Sequence, residues 1–354
     1  MLEGFESMPL WRGGVDGYHT YRIPALVVTC DRTLLAFCEG RRHSGSDHGD
    51  IDLLLKRSTD GGHSWSTQRM VYAEAGEITI GNPAPVVDFD TGAVWMPFTR
   101  DNRDVLLTHS VDDGVTWSDP VDMTTSVKLP DWSWYATGPG NGIQLHGDAH
   151  RGRLVIPCDH RLTQCQDRPE GARSHVIWSD DRGESWQVGQ ATDRMMNECA
   201  VVELGDGRLM LNMRSYRKKG CRAVAFSDDG GATWSACVDR PDLPDPTCQG
   251  SLVRHGRPGE SEGDPLLFCN LAMGVETGRR HGERVRLTVR LSEDDGRTWP
   301  IARVLHEGPS AYSCLASLPN WQIGVLYEAG VQEPYETILF ARFSLDWLTG
   351  DAED

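Results

Sequence analysis

The sequence predicts an all-β protein, a six-bladed β-propeller of four-stranded antiparallel sheets. The first observation is an eight-residue segment that occurs five times without a gap. It begins with Ser, has Asp at the third or fourth place, continues through Gly to Ser or Thr, and ends with Trp. The copies occupy residues 58–65, 110–117, 179–186, 227–234 and 292–299. Self-similarity at such a period indicates a repeat architecture.

The spacing of the repeats and the pattern of the segments around them predict the number of blades. The copies begin on average 58.5 residues apart, and 354 residues contain six such intervals. Four short strands with their turns fit into one interval, and radial repetition of four-stranded sheets gives a propeller. Flanking segments such as 51–55 and 285–291 have the apolar or alternating pattern of strands. We therefore expect one domain over residues 1–354, in which one blade lacks the segment and the strand at 338–343 closes the ring.

The repeated segment itself predicts a tight connection between strands. Asp and Gly supply the side-chain hydrogen bonds and the positive φ angles that turns require. The closing Trp is large and apolar, and we expect it to hold the turn against its own sheet. The alternative is a set of unrelated surface turns, which five gapless copies make the weaker interpretation.

Composition limits the classes of partner. The chain has 35 Lys and Arg against 52 Asp and Glu, a formal net charge of −17, which argues against nucleic acid or an anionic membrane as a partner. An anionic substrate would need a local cluster of arginines. No apolar run is long enough to span a membrane, and the first residues lack the pattern of a signal peptide. We expect a cytoplasmic protein, or a secreted one if a leader has been removed.

The cysteines and histidines indicate neither a disulfide framework nor a metal site. The ten cysteines contain no C-x-x-C motif, so reduced and buried thiols are favoured over a Cys158–Cys165 disulfide. Most lie in apolar, strand-like segments, among them Cys30, Cys38, Cys199 and Cys269. The twelve histidines show no ligand spacing, and we expect no metal and no cofactor.

Several charged residues occur in unusual places. Arg22 lies inside the apolar segment 21–28, where an arginine is either paired or at an edge facing solvent. The polar loop 39–52 carries carboxylates and two arginines, and it is either a solvated loop or a mount for catalytic groups. Glu198 lies near the start of the apolar strand 197–202, either as an ion-pair partner or as a functional carboxylate.

Tyr21-Arg22-Ile23-Pro24, followed by five of the repeated segments, resembles the sialidase (neuraminidase) family of the bacterial and animal exo-sialidase type. The similarity extends to about residue 347, and segments 81–86 and 134–145 resemble family segments too. In this family the repeated segment is called an Asp box, and the resemblance implies a six-bladed propeller fold. Other propellers also carry Asp boxes, so the Arg-Ile-Pro segment is the more specific feature. The aromatic residues Trp132, Trp134 and Tyr135 are either core residues or border the substrate.

The resemblance implies that three arginines bind the carboxylate of a sialic acid through bidentate hydrogen bonds. Arg22 and Arg214 match the first two. The third is Arg284, with Arg280 and Arg279 as alternatives, because the family's Phe-Ser-Asn-Pro reads Phe-Cys-Asn-Leu at 268–271.

Two more residues have implied binding roles. Glu328 matches the glutamate that braces the first arginine, which would offset repulsion among the arginines. Arg41 resembles an additional family arginine that contacts the 4-position and the N-acyl region of the sugar.

The resemblance also implies three catalytic residues. Tyr312 would be the nucleophile, since a neutral phenol approaches the substrate carboxylate more readily than Asp or Glu does. A free phenol has a pKa of about 10, so Glu198 would serve as its base. Asp47 would protonate the leaving oxygen and then deprotonate water. Two displacements at one carbon retain the configuration.

The sequence thus predicts a retaining exo-α-sialidase acting on sialylated glycans. A trans-sialidase and a sialidase for deaminated sialic acid stay open as alternatives. A non-catalytic glycan-binding propeller is the weaker one, because it should lack one of the three catalytic residues. We expect the Asp boxes to fix blade spacing and not to contact substrate.

Overall fold

Antiparallel strands dominate the structure, a computed structural model that describes residues 4–256, 264–274 and 282–350. Within these ranges the strands are β1 (Phe5–Arg12), β2 (Thr20–Val28), β3 (Leu34–Arg41), β4 (Ile51–Ser58), β5 (Arg69–Tyr72), β6 (Ile80–Gly81), β7 (Val86–Val87), β8 (Val94–Arg100), β9 (Asp104–Ser110), β10 (Val121–Asp122), β11 (Trp132–Thr137), β12 (Ile143–Gln144), β13 (Leu154–Leu162), β14 (Ala172–Ser179), β15 (Gln187–Val188), β16 (Met196–Glu203), β17 (Leu209–Ser215), β18 (Cys221–Ser227), β19 (Val238–Pro244), β20 (Ser251–Arg254), β21 (Leu266–Leu271), β22 (Val285–Ser292), β23 (Ile301–Ser317), β24 (Gln322–Ala329) and β25 (Thr337–Ser344). The α-helices of these ranges are α1 (Thr124–Val127) and α2 (Leu345–Thr349), and 3-10 turns cover Asp148–His150, Thr163–Cys165, Pro169–Gly171 and Pro319–Trp321. The predicted all-β class is confirmed.

The described strands form five curled antiparallel sheets that follow one another along the chain. Sheet I has the order β2-β3-β4-β5, and sheet IV has the order β16-β17-β18-β19. Sheet II has the order β10-β9-β8-β6, with β7 also paired to β8. Sheet III has the order β11-β13-β14-β15, with β12 also paired to β13. Sheet V has seven strands in the order β1-β25-β24-β23-β22-β21-β20.

Sheet V is large because β23 is a 17-residue strand with two partners. Its first part, to Pro309, pairs with β22. Its second part, from Ser310, pairs with β24. The N-terminal strand β1 lies at the outer edge of this sheet, where Phe5 is opposite Phe343 of β25. The two ends of the chain are therefore joined by a strand pair.

The hydrophobic core lies between successive sheets rather than in one central layer. Phe37 of sheet I, for example, packs in one cluster with Phe98 and Leu106 of sheet II. Leu34 and Leu54 of sheet I pack on the other side with β25 of sheet V. Strands such as β3 are therefore buried on both faces, which explains their continuous apolar sequence.

The repeated segments are the turns that the sequence predicts. Each joins two antiparallel strands: β4 to β5, β9 to β10, β14 to β15, β18 to β19, and β22 to β23. In the fourth copy, Asp229 Oδ1 accepts hydrogen bonds from Ser227 Oγ and from the backbone N of Thr233, both at 2.8 Å. Asp229 Oδ2 accepts from Thr233 Oγ1 at 2.6 Å. Gly231 has φ +96°, and an added Cβ would lie 2.7 Å from Val176, so this place requires glycine.

The tryptophans of these segments do not all pack as predicted. Trp65 meets Phe340 of sheet V edge-on with ring centroids 5.0 Å apart, and Trp117 meets Phe37 of sheet I at 5.6 Å. Both therefore pack on the neighbouring sheet, because the core lies between sheets. Trp299 follows the prediction, since Phe268 belongs to the same sheet.

All ten cysteines are free, so Cys158 and Cys165 form no disulfide in this structure. The prediction that Cys30 is buried in a strand is wrong, because β2 ends at Val28 and Cys30 lies exposed in the turn after it. No helix in the described ranges is long and apolar enough to cross a membrane.

Replacing Asp229 with Ala should lower the free energy of unfolding by about 1–2 kcal/mol, because three hydrogen bonds that close the turn lose their acceptor. Urea denaturation measures the change. The adjacent Asp228→Ala is the control, since its carboxylate is 87% exposed and reaches Arg208 only at 4.0 Å. Equal denaturation midpoints for the two variants would contradict the role of the third-place aspartate.

Candidate active site

The eight residues singled out in the sequence form one connected group. Each contacts at least one other through a hydrogen bond, an ion pair or a ring contact: Arg22, Arg41, Asp47, Glu198, Arg214, Arg284, Tyr312 and Glu328. Most come from sheets I, IV and V, Asp47 comes from the loop between β3 and β4, and Arg284 directly precedes β22. Residues up to 306 positions apart are thus in direct contact.

β-Bulges place three of these side chains. The pairing of β2 with β3 shifts by one residue between Arg22 and Ala25, and β16 shifts against β17 across the stretch that contains Glu198. The pairing of β23 with β24 shifts across the stretch that contains Tyr312. A bulge breaks the regular alternation of a strand and redirects a side chain. Ile23, inside the first bulge, has φ +59°, an unfavourable conformation for a β-branched residue.

A tyrosine, a glutamate and an arginine form the centre of the group. The hydroxyl of Tyr312 donates a hydrogen bond to Glu198 Oε1. Arg214 Nη1 donates to Glu198 Oε2 at 2.6 Å and to the Tyr312 oxygen at 3.1 Å. Burial and the charge of Glu198 raise the pKa of Tyr312 well above its ordinary value, although Arg214 and Arg284 oppose the shift. The phenol is therefore protonated, with a base already in contact.

A buried carboxylate connects this centre to Arg22. Glu328 has no exposed surface. Its Oε1 accepts from Arg22 Nε at 2.7 Å and from the backbone N of Ile23 at 2.9 Å. Its Oε2 accepts from the backbone N of Tyr312 at 3.0 Å. Burial disfavours the charge on Arg22, but Glu328, Tyr335 and Tyr312 together outweigh this effect and keep the pKa of Arg22 above its ordinary value.

Arg41 organises the loop that carries Asp47. Its Nη1 donates to Asp47 Oδ1 at 2.8 Å and to the carbonyl oxygens of Gly45 and Ser46 at 2.8 and 2.9 Å. Its Nε and Nη2 donate to Glu39 Oε2 at 3.1 and 2.8 Å. Arg41 thus shapes the loop in this structure, and its predicted contact with the substrate stays a prediction.

Asp47 lies beside Arg22 and remains accessible. The distance from Asp47 Oδ1 to Arg22 Nη1 is 3.6 Å, and the Asp47 side chain is 75% exposed. Desolvation by the surrounding loop would raise the pKa of Asp47, but the charges of Arg41 and Arg22 outweigh it and hold the pKa below its ordinary value.

Arg284 joins the group through the ring of Tyr312. Its guanidinium carbon lies 5.9 Å from the centre of the Tyr312 ring, and its Nη1 donates to the hydroxyl of Tyr335 at 2.6 Å. The alternatives Arg279 and Arg280 lie outside the described residues.

Several residues that support the site carry no signal in the sequence. Tyr335 comes after β24 in a loop without a recognisable pattern. Glu39 stands in the strand that precedes the Asp47 loop, and its Oε1 accepts from the backbone N of Asn82 at 3.0 Å. Asn197 precedes Glu198 in β16, and its side-chain amide donates a hydrogen bond to the buried Asp159. Burial and the charge of Glu198 raise the pKa of Asp159 well above its ordinary value.

The aromatic residues of the 132–135 segment are mainly core residues. Trp132 stacks on His160, and Tyr135 shares a 3.0 Å hydrogen bond with His175 Nε2. Both are buried, whereas Trp134 is half-buried. In the described residues no group of three His, Cys, Asp or Glu side chains could hold a metal ion.

A cluster of arginines around a tyrosine–glutamate pair, on an all-β scaffold with five Asp-box turns, is the arrangement that the resemblance implies. Comparisons with known proteins agree. Residues 32–326 match the family described as BNR repeat-like domain. The chain is 36% identical to a sialidase of Micromonospora viridifaciens over 365 residues, which is 95% of this chain and 53% of the relative. It is 34% identical to an exo-alpha-sialidase of Aspergillus fumigatus over 381 residues, 94% of this chain and 86% of the relative.

A solved structure of a relative agrees as well. "Hadza microbial sialidase Hz136" superposes with a TM-score of 0.84 at 30% identity, covering 97% of this chain and 69% of the other. The chain therefore belongs to the sialidase family. It spans about half the length of the Micromonospora sialidase.

Replacing Glu328 with Gln should lower the free energy of unfolding by about 3 kcal/mol, because Arg22 is left buried without its counter-charge. Chemical denaturation measures the loss. Glu6→Gln is the matched control, since Glu6 pairs with Arg342 at 2.7 Å but is 63% exposed, and exposed pairs contribute less than about 1 kcal/mol. If both variants lose the same free energy of unfolding, the buried pair of Arg22 and Glu328 stabilises the fold no more than an exposed pair does.

Proposed function

We propose that this chain is a retaining exo-α-sialidase that releases terminal sialic acid from sialylated glycans. The hydrogen bond from Tyr312 to Glu198, with Arg22 and Arg214 beside it, carries the proposal. A phenol held against a carboxylate is a nucleophile already in contact with its base. The membership of the sialidase family supports the same assignment.

The arginines explain why the substrate would be a sugar acid. A sialic acid carries a carboxylate directly on its anomeric carbon. We infer that Arg22, Arg214 and Arg284 bind that carboxylate and thereby set the anomeric carbon in front of Tyr312. Charge-assisted hydrogen bonds from planar guanidinium groups fix both position and orientation.

In the first displacement, Glu198 takes the phenolic proton and the Tyr312 oxygen attacks the anomeric carbon. The bond from that carbon to the leaving oxygen breaks, and the leaving oxygen takes a proton from the carboxylic acid of Asp47. Arg214, 3.1 Å from the tyrosine oxygen, stabilises the negative charge that develops there. The product of this step is an aryl glycoside, in which the phenolic oxygen is bonded to the anomeric carbon.

In the second displacement, the Asp47 carboxylate takes a proton from water, and the water oxygen attacks the anomeric carbon. The bond to the Tyr312 oxygen breaks, and Glu198 returns the proton to the phenol. The configuration is inverted twice and is therefore retained. The exposure of Asp47 suits a group that must meet both an aglycone and water.

We propose further that the sheets form a six-bladed propeller that is a single domain. Sheet V would supply two blades, since β23 pairs with β22 through its first part and with β24 through its second. One blade would then consist of β20, β21, β22 and the start of β23. The next would consist of the end of β23 with β24, β25 and β1. Five core clusters of the described ranges lie between successive sheets. The sixth lies within sheet V, between the β20–β22 part and the β24–β25 part, which supports a division of this sheet into two blades.

Tyr312→Phe should lower kcat/KM for an aryl sialoside by roughly a thousandfold or more, since the nucleophilic oxygen is gone. The control is Tyr327→Phe, a buried tyrosine of the adjacent strand whose hydroxyl contacts Ser7 at 3.4 Å. Release of the aryl alcohol measures the rate, and product analysis distinguishes hydrolysis from transfer. Full activity in Tyr312→Phe would refute the assignment of Tyr312 as nucleophile. A wild-type protein that hydrolyses sialosides of no linkage would refute the proposed sialidase activity.

Binding of a 2,3-unsaturated sialic acid should be accompanied by proton uptake. The low pKa of Asp47 depends on Arg41 and Arg22, and a carboxylate bound at Arg22 cancels part of that effect. The pKa of Asp47 rises on binding, so protons are taken up at a pH between its free and bound values. Isothermal titration calorimetry in buffers of different ionisation enthalpy measures the uptake. Asp47→Asn should abolish it, and unchanged uptake in that variant would contradict the assignment.

A further inference from the structure

We propose that Tyr335 is a positioning residue that orients Arg22 and Arg284 together for an anionic group while leaving the charge of Arg284 uncompensated. The proposal deepens the function given above and rests on it. Tyr335 touches two of the three arginines at once. Its ring centre lies 4.0 Å from the guanidinium carbon of Arg22, and its hydroxyl accepts from Arg284 Nη1 at 2.6 Å.

The three arginines differ in what holds them. Arg22 is paired with Glu328, and Arg214 is paired with Glu198. Arg284 forms no ion pair with an acidic side chain in the part of the chain that the structure describes, and its side-chain hydrogen bond there goes to a neutral phenol. Burial raises the pKa of Tyr335, although Arg22 and Arg284 oppose the shift, so the phenol stays neutral.

Because the phenol of Tyr335 is neutral, it can orient Arg284 without cancelling the arginine's charge. A carboxylate in place of the phenol would orient Arg284 but would also neutralise it, and it would repel the carboxylate of the ligand. The phenol supplies a hydrogen-bond acceptor without that repulsion. On Arg22 the ring acts in the same way, because a cation over an aromatic face is attracted without being neutralised.

The loop that carries Tyr335 is fixed independently of the site. Glu336 Oε1 accepts from the backbone N of Gln332 and of Glu333 at 2.7 and 2.8 Å. Its Oε2 accepts from Val331 N at 3.1 Å. The backbone of Glu336 is in turn bound by Gly13 N at 2.9 Å. These bonds close the segment 331–336 on itself, so the position of the Tyr335 ring does not depend on a bound ligand.

The test compares three single variants, and Tyr335→Phe in an Arg284→Ala background, by two readouts. Tyr335→Phe removes the acceptor of Arg284 and keeps the ring over Arg22. Tyr335→Leu removes both, and Tyr72→Phe is the control, since it deletes a hydroxyl that binds Glu74 at 2.9 Å in sheet I. The readouts are steady-state kinetics on an aryl sialoside and calorimetric binding of a 2,3-unsaturated sialic acid. Thermal melting checks that each variant is folded.

Tyr335→Phe should raise KM and weaken ligand binding by roughly tenfold, with kcat changed less than about threefold, because an oriented arginine binds ground and transition states alike. Tyr335→Leu should weaken binding by roughly a further threefold. In an Arg284→Ala background, Tyr335→Phe should change ligand affinity less than about twofold, because the two changes remove the same contact. Tyr72→Phe should leave KM, kcat and ligand affinity as in the wild type.

The outcomes separate this proposal from the function on which it rests. If the wild type binds and hydrolyses while Tyr335→Phe does both equally well, only the role of Tyr335 is refuted. If Tyr335→Phe lowered ligand affinity equally in the wild-type and the Arg284→Ala backgrounds, the role of Tyr335 would be refuted as well. If the wild type binds the ligand but turns over no sialoside, the function fails while the binding series still decides on Tyr335. A wild type that does not bind the ligand refutes both.

Discussion

The site depends on one buried carboxylate. Glu328 has no contact with water, yet it holds Arg22 from the second strand of the chain and the backbone of Tyr312 near the other end. A buried charge persists only when it is paired and hydrogen-bonded, and Glu328 has three donors. The same side chain therefore neutralises an arginine and joins sheet I to sheet V at Tyr312. Folding and the assembly of the site are coupled at this point.

The second constraint is the repeated β-bulge. In four strands, β2, β11, β16 and β23, the register against the partner strand shifts by one residue in the same sense. A regular strand presents alternate residues to opposite faces, so one extra residue redirects the side chains beside it. Arg22, Glu198 and Tyr312 lie in or beside three of these bulges. The fourth, in β11, carries Tyr135, which turns into the core instead.

The turns of this chain could be predicted from its local sequence, whereas contacts between different sheets could not. The Asp-box turns depend on residues four apart in the chain, as between Asp229 and Thr233, so the sequence shows them directly. The packing of Trp65 depends on which sheet lies opposite, and the prediction from its own sheet failed. Arg22, Glu198 and Tyr312 were found through family resemblance. Tyr335 has no local pattern, because its role arises only where a loop of sheet V meets an arginine of sheet I.

Charge explains how a protein of net charge −17 can favour an anion. The site contains Arg22, Arg41, Arg214 and Arg284 against Glu39, Asp47, Glu198 and Glu328, so the charges cancel when all are ionised. A bound carboxylate then leaves one negative charge in excess. A proton on Asp47 removes that excess, and in the proposed mechanism Asp47 needs this proton to act as an acid on the leaving oxygen. In the proposed mechanism, binding of the anionic substrate would itself favour the protonation state in which Asp47 acts as the general acid.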